Sequence, residues 1–97
     1  MSLPSVLARD SVEIGGVKVE FRAMSRTEAF KMQSFGLKRA DEAEVYVLTC
    51  GTGCTKVEAE AFRAGNTLDD AGLLIDAILA LSGLTPEPDE EANAPKG

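Results

Sequence analysis

Hydrophobic and polar residues alternate in two short runs near the start of the chain, Ser11–Ile14 and Val17–Phe21, which are joined by Gly15-Gly16. A period of two is typical of strands that bury one face. Two consecutive glycines supply the positive φ angles that a tight hairpin turn requires. The pattern predicts a β-hairpin that rests on the rest of the domain, because an isolated hairpin is only marginally stable in water. The residues predicted to face the core are Val12, Ile14, Val17, Val19 and Phe21.

Four later segments begin with a Ser, Thr or Asp that is followed three positions on by an acid. In this arrangement the side chains satisfy free N–H groups of a first helical turn. The four starts are Ser25 with Glu28, Asp41 with Glu44, Thr55 with Glu58, and Thr67 with Asp70. They predict helices from about Arg26 to Leu37, from Asp41 to Cys50 with Gly51 as its stop, from Thr55 to Gly65-Asn66, and from Thr67 to Ser82.

The second of these segments fits either a helix or a strand, because the run Val45–Cys50 is rich in β-branched residues. The cap before it and the glycine after it favour a helix. Since both of its sides are apolar, it is predicted to form the centre of the core beside the last helix.

The longest apolar-periodic run is Thr67–Leu84, which ends at Gly83. At about 100° per residue, its apolar positions fall on two faces. The broad face is predicted to lie on the core and contains Leu68, Ala71, Leu74, Ile75, Ile78, Leu79 and Leu81. A narrower second stripe contains Leu73, Ala77 and Ala80. A helix with apolar residues on two sides is expected to be covered from two directions, by the domain and by a partner.

Smaller stripes are visible in the other helices. In the first helix Ala29, Phe30, Gln33 and Leu37 share a face, and Phe35 points away from it. Phe35 is therefore expected either to be packed by a neighbouring element or to be exposed to a partner. In the third helix Val57, Ala61 and Ala64 line up.

The fold class predicted from these elements is α+β, with one small domain that consists of an N-terminal β-hairpin and about four short helices. Residues 11–84 form this domain, and residues 1–10 are expected to be a flexible arm. Residues 85–97, TPEPDEEANAPKG, are rich in proline and acids and are expected to form a disordered acidic tail. Such a tail could keep the protein soluble, link it to a further segment, or attract a basic partner through its negative charge.

Composition narrows the classes of partner. A chain of 97 residues has room for one modest core. Its net charge of −6 argues against nonspecific binding to nucleic acid or to an anionic membrane, which need clustered Lys and Arg. The basic side of the first helix, formed by Arg26, Lys31, Lys38 and Arg39, is interpreted as a solvated face. No apolar run is long enough to span a bilayer, so a cytoplasmic location is expected.

Catalytic, cofactor-binding and metal-binding residues are not expected. The chain has no His, which removes the commonest general base. Cys50 and Cys54 have neither the four ligands of a zinc site nor the C-x-x-C spacing of a redox site, and they are interpreted as two semi-buried residues at a helix-to-helix turn. The glycine-containing turns lack the Lys and Ser/Thr of a phosphate loop. An enzyme is therefore not predicted.

The order of these features resembles the tail assembly chaperones of long-tailed bacteriophages. The residues that carry the resemblance span about residues 12–84. They are Val17–Arg22 at the end of the hairpin, Ser25–Ala29 at the first helix start, the acidic segment Asp41–Cys50, the Gly51-Thr52-Gly53 turn, Thr55–Phe62, and the ending Ile78–Leu84, which contains Leu-Ser-Gly-Leu.

This resemblance implies a noncatalytic role. A protein of this family keeps the long helical tape measure protein soluble, helps tail-tube subunits to assemble on it, and leaves before the virion is complete. The implied partners are thus the tape measure protein and the tail-tube protein, in the host cytoplasm, and self-association is also possible. The residues predicted to bind a partner are Leu73, Ala77, Ala80, Leu84 and Phe35.

Many members of the family are also made in a longer form through ribosomal frameshifting. Ala94-Pro95-Lys96 is compatible with a slippery codon run, so a longer product is a hypothesis for this chain. The alternative functions are a head-to-tail adaptor that stays in the virion and a small cellular interaction adaptor. A thiol enzyme is a more distant third.

Overall fold

The structure is a computed structural model and describes residues 6–84. Two strands, β1 (Arg9–Ile14) and β2 (Val17–Arg22), are followed by α1 (Arg26–Gln33), a 3-10 turn (Leu37–Arg39), α2 (Ala40–Thr52), α3 (Lys56–Gly65) and α4 (Leu68–Leu81). The predicted α+β fold, a hairpin followed by four helices, is confirmed. The predicted acidic tail and the first five residues of the predicted arm lie outside the described residues.

The two strands form an antiparallel hairpin in which Val12 pairs with Val19 and Ile14 with Val17. Gly15 and Gly16 adopt φ angles of 58° and 84°, which fit a primed turn. β1 begins at Arg9, two residues before the predicted start of the domain. The predicted inward position of Val17 is wrong, because this side chain stands beside the exposed turn and is 63% exposed.

The core is built around α2, which packs against α1, α3, α4 and β2, while α4 also covers β1. This confirms that Val45–Cys50 is helical and lies at the centre of the core, and the strand alternative is wrong. The buried positions of the two central helices are Val45, Val47, Leu48, Cys50 and Gly51 in α2, and Ala71, Leu74, Ile75 and Ile78 in α4. The hairpin contributes Ile14 and Phe21, and the connection to α1 contributes Ala23 and Met24.

Gly51 lies inside α2 and does not end it as predicted. A Cβ atom at this position would be 2.5 Å from Cδ1 and 2.9 Å from Cγ1 of Ile78, so the missing side chain lets α2 and α4 approach closely. The helix ends instead at Gly53, which has a φ of 80° and donates its N–H to the Thr49 carbonyl at 3.0 Å. A left-handed glycine of this kind is the usual helix stop.

Three of the four predicted helix starts are confirmed. Ser25 and Thr55 form capping boxes with Glu28 and Glu58, and the Thr67 hydroxyl accepts the Asp70 N–H. The bonds are reciprocal at Ser25 and Thr55 and one-way at Thr67, and all of them satisfy N–H groups that a helix start leaves free.

The predicted start at Asp41 is wrong, because α2 begins one residue earlier, directly after the 3-10 turn, and its cap position is Arg39 without a side-chain bond. α1 also ends at Gln33, before the predicted Leu37, because the chain turns at Gly36, where φ is 71°.

Ser82 ties the end of α4 to the connection between the hairpin and α1. Its hydroxyl accepts the Met24 N–H at 2.7 Å and donates to the Ile78 carbonyl at 2.6 Å. Met24 is only 4% exposed, so its N–H has little access to water if the hydroxyl is removed. A buried donor that loses its acceptor costs about 1–3 kcal/mol.

We therefore expect Ser82→Ala to lower the free energy of unfolding by about 1–2 kcal/mol in urea denaturation. Ser34→Ala is the matched control, because the Ser34 hydroxyl makes a similar 2.6 Å bond to the Lys31 carbonyl on the exposed surface. That substitution should change the stability by less than about 0.5 kcal/mol. Equal effects of the two substitutions would contradict the bridging role of Ser82.

Candidate partner-binding surfaces

The predicted second stripe of α4 lies largely on the side of the helix that faces away from the core. Leu73 is 49% exposed and Ala80 is also exposed, whereas Ala77 is half-buried and packs against the core. Asp69 and Asp76 are exposed on the same helix. At about 100° per residue, these two acids fall on the same side of α4 as Leu73 and Ala80. This α4 surface thus combines the apolar side chains of Leu73 and Ala80 with two acids.

Leu84 is fixed at the end of this surface. Gly83 adopts a φ of 83°, and the Leu84 N–H donates to the Leu79 carbonyl at 2.7 Å. This closes α4 with a left-handed turn, as predicted. The Leu84 side chain is half-buried.

Phe35 does not join the α4 surface. Its ring makes an edge contact with Tyr46 of α2, with the ring centroids 5.7 Å apart, and the Arg39 guanidinium lies 4.7 Å from its centroid. α1 and its connection to α2 lie on the other side of α2, and no contact joins α1 to α4 within the described chain. Of the two alternatives for Phe35, packing by a neighbouring element is the one observed. The five predicted partner residues therefore fall on two separate surfaces.

Phe35 borders an open groove of about 580 Å³ between α2 and α3. Charged residues of both signs line this groove, and several are already paired. Arg63 of α3 donates to Glu44 at 2.8 Å and to Asp41 at 3.1 Å, and so ties α3 to α2. These pairs hold α2 and α3 together along the groove, whereas Lys56 and Glu60 in its lining form no ion pair within residues 6–84.

The apolar residues that line up along α3 do not lie on its buried face. The aligned residues Val57, Ala61 and Ala64 are all exposed, Val57 by 74%, and the inward positions are instead Ala59 and Phe62. The larger apolar area of a phenylalanine explains this orientation, since burying it contributes more than burying an alanine. The size of Phe62 is thus the feature of the sequence that identifies the inward face.

Leu68 is also misplaced by the sequence pattern, because it is 88% exposed and not part of the core face. It is the first residue of α4 and comes three residues after the end of α3. Together with Ala64 it borders a shallow depression. An exposed apolar stripe, which we call the α3 stripe, is therefore formed by Val57, Ala61, Ala64 and Leu68.

A partly buried cluster of polar side chains joins the hairpin, α1 and α2. Arg22 at the end of β2 donates two hydrogen bonds to the Glu28 carboxylate, at 2.9 Å and 3.0 Å. These bonds outweigh the effect of burial and lower the pKa of Glu28 to about 2. The same pairing raises the pKa of Arg22. The ion pair is therefore charged over the whole neutral range.

The Cys50 thiol and the Tyr46 hydroxyl border this ion pair. Burial is the main cause that raises the pKa of Tyr46 to about 12, and burial also raises the pKa of Cys50 above its usual value. Both groups therefore hold their protons at neutral pH. A thiol needs the opposite shift to act as a nucleophile, so this cluster has the electrostatics of a structural site.

Cys50 is buried, Cys54 is half-buried, and both thiols are free. This confirms the predicted burial of the pair on either side of the turn between α2 and α3. Within residues 6–84 no group of three or more His, Cys, Asp or Glu side chains is placed to hold a metal ion. None of the helices in this range combines the length and the apolar character needed to cross a membrane.

Comparison with known proteins adds no relative: no family model, curated protein or solved structure matches this chain. The candidate surfaces are thus defined by their own geometry, which shows exposed apolar residues on α3 and α4.

Proposed function

We propose that this protein is a noncatalytic tail assembly chaperone of a long-tailed bacteriophage that binds the tape measure protein and promotes tail-tube assembly. The observation that carries the proposal is the α4 surface, where Leu73 and Ala80 stay exposed on the side opposite the core. An amphipathic partner helix recognises such a face through apolar side chains at helical spacing.

The charge of the α4 surface specifies the partner further. Asp69 and Asp76 are exposed on the same side of α4 as Leu73 and Ala80, so a partner helix with Lys or Arg beside its apolar stripe fits this surface best. Helical segments of a tape measure protein with that pattern would bind here while the protein is in the host cytoplasm. The electrostatic pairing would favour the correct register more than it would add to affinity.

Replacing Leu73 by Asp tests the surface. We expect Leu73→Asp to weaken binding of the tape measure protein by about tenfold or more, because a charged side chain would replace a central apolar contact. The fold should remain intact, with the free energy of unfolding changed by less than about 1 kcal/mol, since Leu73 lies half in water. Binding is measured by pull-down and titration calorimetry.

Val17→Asp is the matched control, because Val17 is 63% exposed on the hairpin and is not part of the α4 surface. It should leave the affinity unchanged. A Leu73 variant that binds normally, or one that unfolds, would contradict the assignment of the α4 surface as the partner site.

A chaperone and a head-to-tail adaptor differ in where the protein is at the end of assembly. The chaperone is proposed to leave, so mass spectrometry of purified virions should find it absent or at trace level. An adaptor would be present in stoichiometric amounts, and that finding would replace the proposal.

A further inference from the structure

Positive charge is concentrated in one short part of this acidic chain. Residues 22–39 contain five Lys and Arg residues and one acid, Glu28, although the net charge of the chain is −6. Arg22 and Glu28 neutralise each other in the partly buried ion pair. The remaining cations are Arg26, Lys31, Lys38 and Arg39, and all four are exposed.

Aromatic rings lie beneath three of these cations. The Arg26 guanidinium is 4.8 Å from the centroid of Phe30, the Lys31 ammonium is 5.2 Å from that of Tyr46, and Arg39 lies over Phe35.

Arg39 is also paired with Glu42. Within residues 6–84, Arg26, Lys31 and Lys38 form no ion pair. Stacking on a ring holds a cation in place and leaves its outer side open to an anion.

Two large apolar side chains complete this surface. Phe30 is 57% exposed and Leu37 is 96% exposed. We call the region formed by Arg26, Phe30, Lys31, Leu37 and Lys38 the α1 surface. It is basic and apolar, whereas the α4 surface is acidic and apolar, so the two surfaces suit different partners.

The described part of the chain ends next to the α1 surface. The hydrogen bond from the Met24 N–H to the Ser82 hydroxyl, at 2.7 Å, places the end of α4 beside the residues that lead into α1. The Leu84 N–H bond to Leu79 then fixes the last described residue at that end. The described chain therefore ends near the connection that leads into α1.

The residues that follow Leu84 in the sequence are acidic, whereas the α1 surface is basic. Residues 85–97 contain Glu87, Asp89, Glu90 and Glu91 against one cation, Lys96, and two prolines stand among the acids. At about 3.3 Å per residue, the acids lie within about 10–23 Å of Leu84, while the eight residues of α1 are about 12 Å long. The reach of the acids thus exceeds the length of α1.

We propose that the acidic segment 85–97 docks on the α1 surface of the same chain. Its carboxylates pair with Arg26, Lys31 and Lys38, and its prolines pack on the ring of Phe30, as proline-rich segments do on aromatic surfaces. The short tether gives the segment a high local concentration, so several weak surface pairs suffice. The docked segment covers Phe30 and Leu37 until an acidic partner segment displaces it.

A nucleic acid is a poorer occupant of the α1 surface. Asp41, Glu42 and Glu44 follow directly in the sequence, and Asp41 and Glu42 are exposed. A polyanion that extends past the 3-10 turn would meet these carboxylates, whereas a short acidic segment that starts beside Ser25 does not need to pass them.

The inference is independent of the proposed function and is tested on the full chain by two-dimensional ¹⁵N–¹H NMR. The wild type is compared with the variant E87Q/D89N/E90Q/E91Q at about 0.1 M and about 1 M salt, where the screening length falls from about 10 Å to about 3 Å. At low salt we expect the amide shift differences outside the substituted segment to cluster in residues 26–39. At high salt they should disappear.

Substitutions on the α1 surface give the reciprocal test. Introducing K31Q/K38Q into both chains should reduce the clustered shift differences about twofold or more, because two of the unpaired cations are gone. K18Q/K56Q is the matched control, since it removes two cations from the hairpin and α3 and should leave the differences unchanged.

Three results would overturn the inference. Shift differences confined to residues 85–97 would show that the segment does not dock. A cluster on the α3 stripe instead would place it elsewhere. Shift differences that fall on tenfold dilution would show that the segment comes from a second copy of the chain.

Discussion

Gly51→Ala is expected to lower the free energy of unfolding by about 2–3 kcal/mol, although alanine is the better helix former by about 1 kcal/mol. The added Cβ would lie 2.5 Å from Cδ1, 2.9 Å from Cγ1 and 3.0 Å from Cγ2 of Ile78. Ile78 is 0% exposed, so its side chain is enclosed by the core and cannot move out into solvent. The two central helices must therefore separate, which weakens the core that they share.

The measurement is urea denaturation followed by circular dichroism, with Gly72→Ala as the matched control. Gly72 also lies inside a helix, but a Cβ added there meets nothing within 4 Å. This control should be stabilised by up to about 1 kcal/mol. The double variant G51A/I78V should lose less than the sum of its two single variants, because valine lacks the Cδ1 atom of the closest contact. Additive losses would contradict the proposed clash.

Glu28→Gln is expected to cost about 2–3 kcal/mol of stability at pH 7 and almost none at pH 2. The pKa of Glu28 is lowered from 4.5 to about 2, chiefly by the hydrogen bonds from Arg22. A carboxyl group with a lowered pKa in the folded state stabilises the fold above its unfolded pKa, and this contribution is lost as the pH falls through the folded value. The wild type should therefore lose this stabilisation between about pH 4.5 and pH 2, and the variant should not.

Urea denaturation of both proteins at several pH values between 2 and 7 measures this difference. Glu42→Gln is the control, because Glu42 is also paired with an arginine, Arg39, but stands exposed at the surface. Its pairing should have no measurable effect on stability. A constant gap between wild type and E28Q across this pH range would show that the Arg22–Glu28 pair does not stabilise the fold through its charge.

Local signals in the sequence were sufficient for most of the fold. The Gly15-Gly16 turn and the caps at Ser25, Thr55 and Thr67 depend on residues that are close in the chain, and all are observed. Gly51 shows the limit of such signals. A glycine near the end of an apolar run indicates a helix stop, and its actual role depends on Ile78, which is 27 residues further along the chain.

The candidate surfaces were predicted less completely for the same reason. Periodicity shows which residues share a face, but tertiary packing decides which face is buried. In α4 the pattern correctly left Leu73 and Ala80 outside the core, whereas it placed Leu68 inside. The basic side of α1 was visible in the sequence, but its aromatic rings include Tyr46 from α2, which no local pattern could bring there.

The central claim is that this protein keeps a tape measure protein soluble through its α4 surface. The most direct measurement is coexpression of the protein, wild type or Leu73→Asp, with the tape measure protein of the same phage. We expect the wild type to raise the soluble fraction of that partner and to copurify with it, and we expect the variant to do neither while remaining folded. An insoluble partner and no complex with the folded wild-type protein would contradict the claim.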